Sequence, residues 1–252
     1  ETTGATDWNG GGLTFNNLFG FGIIDEHAAL RLAESWSGQA TYETRETATV
    51  SRSPNGSVTA APGGQDRDYA SLTFDVSEEI DIDRVKVDLD IDHGHRGDLV
   101  VKLISPGGTE SVLIDRPGKG PFGSETGSSA NGIDFETSSV KHFGESSLGT
   151  WEVRVENWGD RSTARVNEVS LEFVGDIDDG DDTYIFTDAF ADLDGEDRGR
   201  IEDTTGQDTL SLAAVTGDSR IDLGEGSAMI AGRGLTFASD GSITEVRAGD
   251  GA

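Results

Sequence analysis

The chain has 252 residues, with 48 acidic and 19 basic side chains, a formal net charge of −29 and no cysteine. A field of this sign repels nucleic acid and anionic membranes, because both bind to cationic protein surface. The absence of cysteine excludes a disulfide framework and thiolate metal sites. Two explanations of the acidity stay open, namely calcium binding by carboxylate oxygens and solubility in a salty medium.

An amphipathic helix is predicted over residues 25–36, near the start of the chain. Its apolar residues recur at helical spacing and are Ala28, Ala29, Leu32, Ala33 and Trp36. Asp25 is placed to cap the first turn, and Gly38 follows the last one. The glycine-rich stretches at residues 10–12 and 20–22 predict loops in which backbones approach closely.

Residues 68–175 carry the period-two alternation of half-buried strands. Residues 37–64 before them are polar and threonine-rich, which predicts a linker that merges into a first strand. The predicted strands that follow lie at residues 69–76, 82–91, 99–103, 112–114, 151–155 and 169–173. Gly/Pro turns separate them without helical crossovers, so we expect a mainly β fold built as an antiparallel β-sandwich.

The stretch DWNGGGLTFNNLFGFGIIDEHAALRLAESW, residues 7–36, resembles the last segment of a subtilisin/kexin-type serine protease domain. The resemblance implies that the catalytic serine, histidine and aspartate precede Glu1. Residues 1–38 would then be the C-terminal remnant of a catalytic domain, whose final helix is the one predicted above.

Residues 68–174 resemble the P (Homo B) domain that follows the catalytic domain in kexin- and furin-like convertases. The resemblance rests on four motifs in order: HGHRGDL at 93–99, LISPGGT at 103–109, GTWEVRV at 149–155 and VSLEF at 169–173. It implies a jelly-roll arrangement for the sandwich and a P domain at residues 39–175. The stretch Ile133-Asp134-Phe135-Glu136 departs from the Phe-Asp-Asp of many bacterial relatives.

Residues 176–252 are richer in Asp and Gly and resemble the region that leads into the calcium-binding repeats of serralysin-type proteases. No complete nonapeptide Gly-Gly-x-Gly-x-Asp-x-apolar-x occurs in them. The resemblance implies a C-terminal β segment and type I secretion from a bacterium.

Together these resemblances predict the non-catalytic C-terminal part of a secreted, calcium-dependent, subtilisin/kexin-like serine endopeptidase. The implied role of the P domain is to stabilise the catalytic domain, which lies upstream in the same polypeptide or in a separate chain. No nucleic-acid or membrane partner is expected. The alternative is a stand-alone P-domain module that binds a glycan or a protein. An exposed apolar patch around Gly20-Phe21-Gly22 would favour the protease tail, and a closed surface would favour the module.

Calcium is the expected cofactor because carboxylates cluster on one predicted strand. Asp88, Asp90 and Asp92 alternate with apolar residues and share its outer face, where like charges repel unless a cation or a basic side chain compensates. The predicted metal ligands are Asp90, Asp92, Asp98, Asp134 and Glu136. Mutual screening of these acids in salt is the alternative. The stretch at 178–182 copies half of an EF-hand loop but lacks its twelfth-position Glu.

Three further patterns have a structural and a functional interpretation. His93-Gly-His95 is a metal-binding pair or a turn, and Arg96-Gly97-Asp98 is an integrin-type motif or a turn. Trp158 is a glycan-stacking platform or an ordinary turn residue. No nucleophile motif of the Gly-Thr-Ser type occurs, so a catalytic residue is not assigned, although a triad is defined by geometry rather than by sequence.

Overall fold

The computed structural model describes residues 6–9, 13–16, 18–35, 41–42, 44–54, 58–60, 68–120, 127–160, 162–177, 180–192, 199–201, 206–238 and 241–249. The chain divides into two units, residues 1–22 with 41–177 and residues 23–40 with 178–252. The predicted loop at 10–12, Trp36, Gly38 and the turns at 55–56 and 61–64 lie outside the described residues.

The first unit is built from antiparallel strands. They are β1 Thr6–Trp8, β2 Thr14–Asn16, β3 Arg45–Arg52, β4 Val58–Ala60, β5 Asp68–Val76, β6 Ile80–Asp92, β7 Leu99–Ile104, β8 Glu110–Asp115, β9 Ile133–Ser139, β10 Gly149–Asn157 and β11 Ala164–Ile177. One sheet has the order β5-β10-β7-β8, and the other has the order β3-β11-β6-β9 with β4 also paired to β11. Strands β1 and β2 form a separate hairpin.

The inner faces of the four-stranded and the five-stranded sheet share one apolar core, which confirms the predicted antiparallel β-sandwich. Trp151 lies at its centre, fully buried, with its ring 4.9 Å from that of Phe173 in the opposite sheet. The Trp151 indole N–H donates to the backbone oxygen of Ser147 at 2.7 Å, so its one polar atom is satisfied. The remaining core side chains include Leu72, Val85, Val87, Leu89, Leu103, Val153, Val155, Val169 and Leu171.

Two features of the sandwich, strand β9 and the register of β8, differ from the sequence prediction. Strand β9 was not predicted, because as an edge strand it buries only Ile133 and Ser139 and lacks clear alternation. In β8 the register with β7 skips a residue, so Leu113 and Ile114 both pack on the core. The sequence predicts that Val112 packs on the core, and the β-bulge places Leu113 there instead. Residues 45–52, expected to be linker or first strand, form β3.

The second unit contains the helix α1 Glu26–Ser35 and six strands. The strands are β12 Thr183–Thr187, β13 Asp208–Ala214, β14 Ser219–Asp222, β15 Ser227–Ile230, β16 Arg233–Thr236 and β17 Ile243–Arg247. Strands β12, β13 and β17 are parallel, while β14, β15 and β16 form an antiparallel meander. Every residue of β13 is buried, as expected of a parallel strand covered on both faces.

The predicted helix is confirmed, with its cap in place. Oδ1 of Asp25 accepts a hydrogen bond from the Ala28 N–H at 3.0 Å. Among the stripe residues that the structure describes, Ala28 is buried, Leu32 is half-buried, and Ala29 and Ala33 are exposed. The helix packs on β13 and belongs by its contacts to the second unit, whereas residues 1–22 belong to the first. The domain boundaries at residues 38 and 175 stay predictions.

We expect Trp151→Ala to lower the free energy of unfolding by about 3–5 kcal/mol, because it deletes the largest buried side chain of the sandwich and leaves a cavity. Phe135→Ala on the edge strand β9 is the control, since that side chain is 58% exposed. Urea denaturation of both variants measures the difference. Equal losses would show that the core is not centred on Trp151.

Candidate functional site

A buried asparagine joins the N-terminal segment, residues 6–22, to the sandwich. The Asn9 side-chain amide donates hydrogen bonds to the backbone oxygens of Lys141 at 2.9 Å and Phe143 at 2.7 Å. Its Oδ1 accepts one from the Leu13 N–H at 2.8 Å. Because Asn9 is only 4% exposed, breaking these bonds would leave buried polar atoms unsatisfied. The receiving surface is the 140–148 loop between β9 and β10.

Aromatic side chains extend this contact. Phe21 packs edge-on against Phe15 with ring centroids 5.1 Å apart, and against Phe143 of the loop at 6.1 Å. The Lys141 ammonium lies 5.6 Å from the Phe15 ring. An open cavity of about 430 Å³ beside them is lined by Phe21, Arg45, Asp83, Arg84, Val140 and Phe143.

Large apolar side chains are exposed along residues 18–24. In the first unit the exposed fractions are 58% for Leu18 and 73% for Phe19, and in the second unit they are 99% for Ile23 and 80% for Ile24. Single exposed apolar residues are common, but consecutive ones at this density mark surfaces that bind another surface. Leu18, Phe19 and Phe21 of the first unit thus form an exposed apolar patch around Gly20-Phe21-Gly22, the feature that favours the protease-tail interpretation.

Two residues of the 140–148 loop, His142 and Glu145, form a buried acid–imidazole pair. Nδ1 of His142 is 3.5 Å from Oε1 of Glu145, and both residues are almost fully buried. Burial raises the pKa of Glu145, but the neighbouring His142, Ser105 and Thr109 favour the ionised carboxylate more strongly and hold that pKa below its ordinary value. Sequence reasoning missed this pair, because no local pattern marks Glu145 as an interior residue.

Four of the five predicted metal ligands lie on the exposed face of the sheet that contains β6. Asp90 stands directly opposite Asp134 of β9 and Glu168 of β11. Asp92 instead faces a cation, since its partner across β11 is Arg165. A further acidic pair on this face, Asp88 with Glu136, extends the repulsion along the strands.

These acids form pairs rather than a converged cage. Within the described ranges, no group of three or more His, Asp or Glu side chains is arranged to hold a metal ion. The Asn167 amide donates to Oδ1 of Asp90 at 3.1 Å and supplies part of the compensation. Since calcium takes six to eight oxygens, this face alone does not complete a shell. The calcium site stays a prediction.

The fifth predicted ligand, Asp98, is buried in a short 3-10 turn spanning Arg96–Asp98. It is 5% exposed, and its Oδ2 has no hydrogen-bond partner among the described residues. A side chain at Gly159 would collide with this carboxylate, so the position admits only glycine without rearrangement. The burial of Asp98 and Leu99 supports the structural interpretation of the Arg-Gly-Asp tripeptide over the integrin interpretation.

His93 serves a turn rather than a metal or a triad. Its Nδ1 lies 2.7 Å from the backbone oxygen of His95, and its Nε2 lies 3.0 Å from both the backbone oxygen and Oγ of Ser162. Both ring nitrogens therefore face protein oxygens, which leaves neither directed at a metal. A Ser–His–Asp triad needs a carboxylate at Nδ1, and a carbonyl occupies that place.

Trp158 is half-buried rather than freely exposed. Its indole N–H donates to Oε2 of Glu156 at 2.8 Å, and the Arg116 guanidinium lies 4.5 Å from its ring centroid. A sugar stacking on that face would have to displace Arg116. The glycan interpretation of Trp158 therefore gains no support from the geometry.

The acidic turn that opens the second unit is used structurally. Oδ1 of Asp181 accepts a hydrogen bond from the Gln207 N–H at 2.7 Å, and the Asp182 N–H donates to Oδ1 of Asp208 at 3.0 Å. The other two acids of the EF-hand-like stretch, Asp178 and Asp179, lie outside the described residues.

Residues 82–173 match the family model of the proprotein convertase P-domain. Two curated proteases are similar to this chain. Proprotein convertase subtilisin/kexin type 6 of Rattus norvegicus is 29% identical over 160 residues, and kexin of Saccharomyces cerevisiae is 27% identical over 212. Residues 82–173 are a P-domain region of the subtilisin/kexin family. These alignments cover 61% and 81% of this chain but only 16% and 24% of the two relatives.

A bacterial relative links the P domain to a solved structure. The extracellular serine protease of Aeromonas sobria is 27% identical over 187 residues, which cover 68% of this chain and 29% of that protein. Its crystal structure superposes with a TM-score of 0.56 at 22% identity, over 68% of this chain and 33% of that one, and shows the same fold. The chain thus spans less than a third of each of these relatives. No helix in the described part is long and apolar enough to cross a membrane.

We expect Asp134→Asn to raise the stability of the calcium-free protein by about 0.2–1 kcal/mol, because it removes the like charge opposite Asp90. Asp92→Asn is the matched control and should lower stability, since Asp92 faces Arg165. Thermal denaturation at low salt with a chelator measures both. If Asp134→Asn is destabilising under these conditions, the acidic face is not frustrated.

Proposed function

We propose that the chain is the non-catalytic C-terminal part of a secreted, calcium-dependent, subtilisin/kexin-like serine endopeptidase. Its P domain stabilises a catalytic domain that lies upstream in the same polypeptide or in a separate chain. In the whole enzyme a serine nucleophile, its histidine base and an oxyanion hole would supply the chemistry, all contributed by that domain.

The exposed apolar residues at 18–24 carry this proposal. Within the first unit, Leu18 and Phe19 are mostly exposed, whereas the sandwich core of the same unit buries its apolar side chains almost completely. Covering such side chains with a partner surface gains about 25 cal/mol per Å² of apolar area. A module that binds only a glycan has no use for exposed apolar side chains, whereas a surface that binds another protein domain does.

The extent of the alignments supports a protease tail over an isolated P domain. The match to kexin covers 81% of this chain, so it extends beyond residues 82–173 on both sides. The similarity to this protease is therefore not confined to the P-domain region. The name of the Aeromonas sobria relative, an extracellular serine protease, supports secretion.

The acid pairs on β6 and β9 support the calcium requirement. Asp90 and Asp134 face each other without a basic side chain between them, and a divalent cation bound only by the folded state would relieve that repulsion. We expect the midpoint of thermal unfolding to fall when calcium is chelated with EGTA and to recover when calcium is added back. An unchanged midpoint would remove calcium from the proposal.

The stabilising role predicts that apolar residues at 18–24 matter to the catalytic domain more than to the sandwich. The polypeptide extended upstream through its catalytic domain should lose thermal stability and proteolytic activity with Phe19→Asp. The same substitution in the 252-residue chain should change the unfolding midpoint little, because Phe19 is 73% exposed there.

Phe135→Asp is the matched control, since Phe135 is 58% exposed and lies on the edge strand β9. It should leave the activity of the extended polypeptide nearly unchanged. If Phe19→Asp has no larger effect than Phe135→Asp, residues 18–24 do not contact a catalytic domain. Absence of a catalytic domain in the reading frame upstream of Glu1 and in its neighbours would overturn the proposal as a whole.

A further inference from the structure

The 140–148 loop is held from two opposite sides by buried polar groups. From outside, the Asn9 amide binds the carbonyl oxygens of Lys141 and Phe143. From inside, the Glu145 carboxylate accepts hydrogen bonds from Ser105 and Thr109 of the β7–β8 turn. The loop therefore lies between the N-terminal segment and the sandwich, and both contacts are long-range in sequence.

His142 connects the two sides. It stands between Lys141 and Phe143, the residues whose carbonyls bind Asn9. Its ring is fully buried and packs edge-on against Trp151, with centroids 5.0 Å apart and planes at 79°. The Lys141 carbonyl lies in the peptide group that precedes His142, so it has little freedom while the His142 side chain is held between the core and Glu145. The Phe143 carbonyl lies in the Phe143–Gly144 peptide group, whose N–H donates to the Ile82 oxygen at 2.8 Å. A shift of His142 therefore moves the Lys141 carbonyl directly and the Phe143 carbonyl through the backbone of Phe143.

We propose that Glu145 and His142 are positioning residues that set how tightly the N-terminal segment docks on the P domain, by holding the carbonyl oxygens of Lys141 and Phe143 at the spacing that the Asn9 amide binds. This inference rests on the proposed function, because the docked segment would connect the P domain to the catalytic domain. The contacts themselves lie within this chain and can be tested without that domain.

The charge state of Glu145 gives docking a pH dependence. The groups that face its carboxylate are the His142 imidazole and the hydroxyls of Ser105 and Thr109, and all of them favour the ionised form. The pKa of Glu145 is accordingly lowered from its ordinary 4.5, even though burial opposes ionisation. The stabilisation is thus present above the ordinary pKa of a glutamate and is lost as the pH falls through the lower pKa of the folded state. Acid should therefore loosen the segment.

Hydrogen exchange on the 252-residue chain tests the proposal. The reporters are the amides of Asn9, Asn16 and Gly20, which bond within the N-terminal segment, and the Val153 amide reports on the sheet core. Glu145→Gln should speed exchange of the segment about tenfold or more relative to Val153, the effect expected for losing a hydrogen bond to a charged group. Glu152→Gln is the matched control, because Glu152 also has a lowered pKa but pairs with Arg154 on the outer face of β10.

A pH series and a double-mutant cycle separate positioning from general stability. Corrected for intrinsic rates, exchange of the segment should rise in the wild type below the ordinary glutamate range and stay level in Glu145→Gln. Asn9→Ala and Glu145→Gln should be non-additive, since both act through the same two carbonyls. Additive effects, or equal acceleration of Val153 and the segment, would overturn the proposal while leaving the protease-tail proposal intact. If Glu145→Gln does not fold, the wild-type pH series alone decides.

Discussion

The pairing of β6 with β11 is the constraint on which the rest of the first unit depends. It runs from Ile80 opposite Ile177 to Asp92 opposite Arg165, through the two longest strands of the chain. Strands β3 and β9 can join the sheet only at the outer edges of this pair. Burying the apolar side of β6 against the second sheet also places every alternate side chain on the outer face. The acidic rows therefore follow from the same register that forms the core.

The same strand anchors the loop that receives the N-terminal segment. The Ile82 N–H donates to the Glu145 backbone oxygen at 3.0 Å, and the Gly144 N–H donates to the Ile82 oxygen at 2.8 Å. With its backbone tied to β6, the 140–148 loop can present two carbonyls to Asn9. Core packing, loop position and docking of the segment are thus linked through one strand.

Basic side chains neutralise the acids in some cross-strand rows of that sheet and are missing from others. Lys86 and Glu172 are cross-strand partners and form an ion pair of 2.6 Å, whereas the row of Asp134, Asp90 and Glu168 contains no basic side chain. Exposed ion pairs add little stability, so the contrast matters mainly as a source of local repulsion. It confines the demand for a cation to the rows of Asp88 and Asp90, which lie between the Lys86 row and the Asp92–Arg165 row.

The sequence by itself determined the sandwich, because period-two alternation in β5, β6, β7, β10 and β11 admits only one buried face per strand. It also determined helix α1 with its Asp25 cap, which is a local hydrogen bond. Only the tertiary structure decided the bulge in β8 and the edge strand β9, since partner strands set their register. It alone also showed that Glu145 lies buried beside His142 and that Asn9 binds the 140–148 loop. Those contacts join residues far apart in the chain, and an acid or an amide carries no local signal of the surroundings into which folding will bring it.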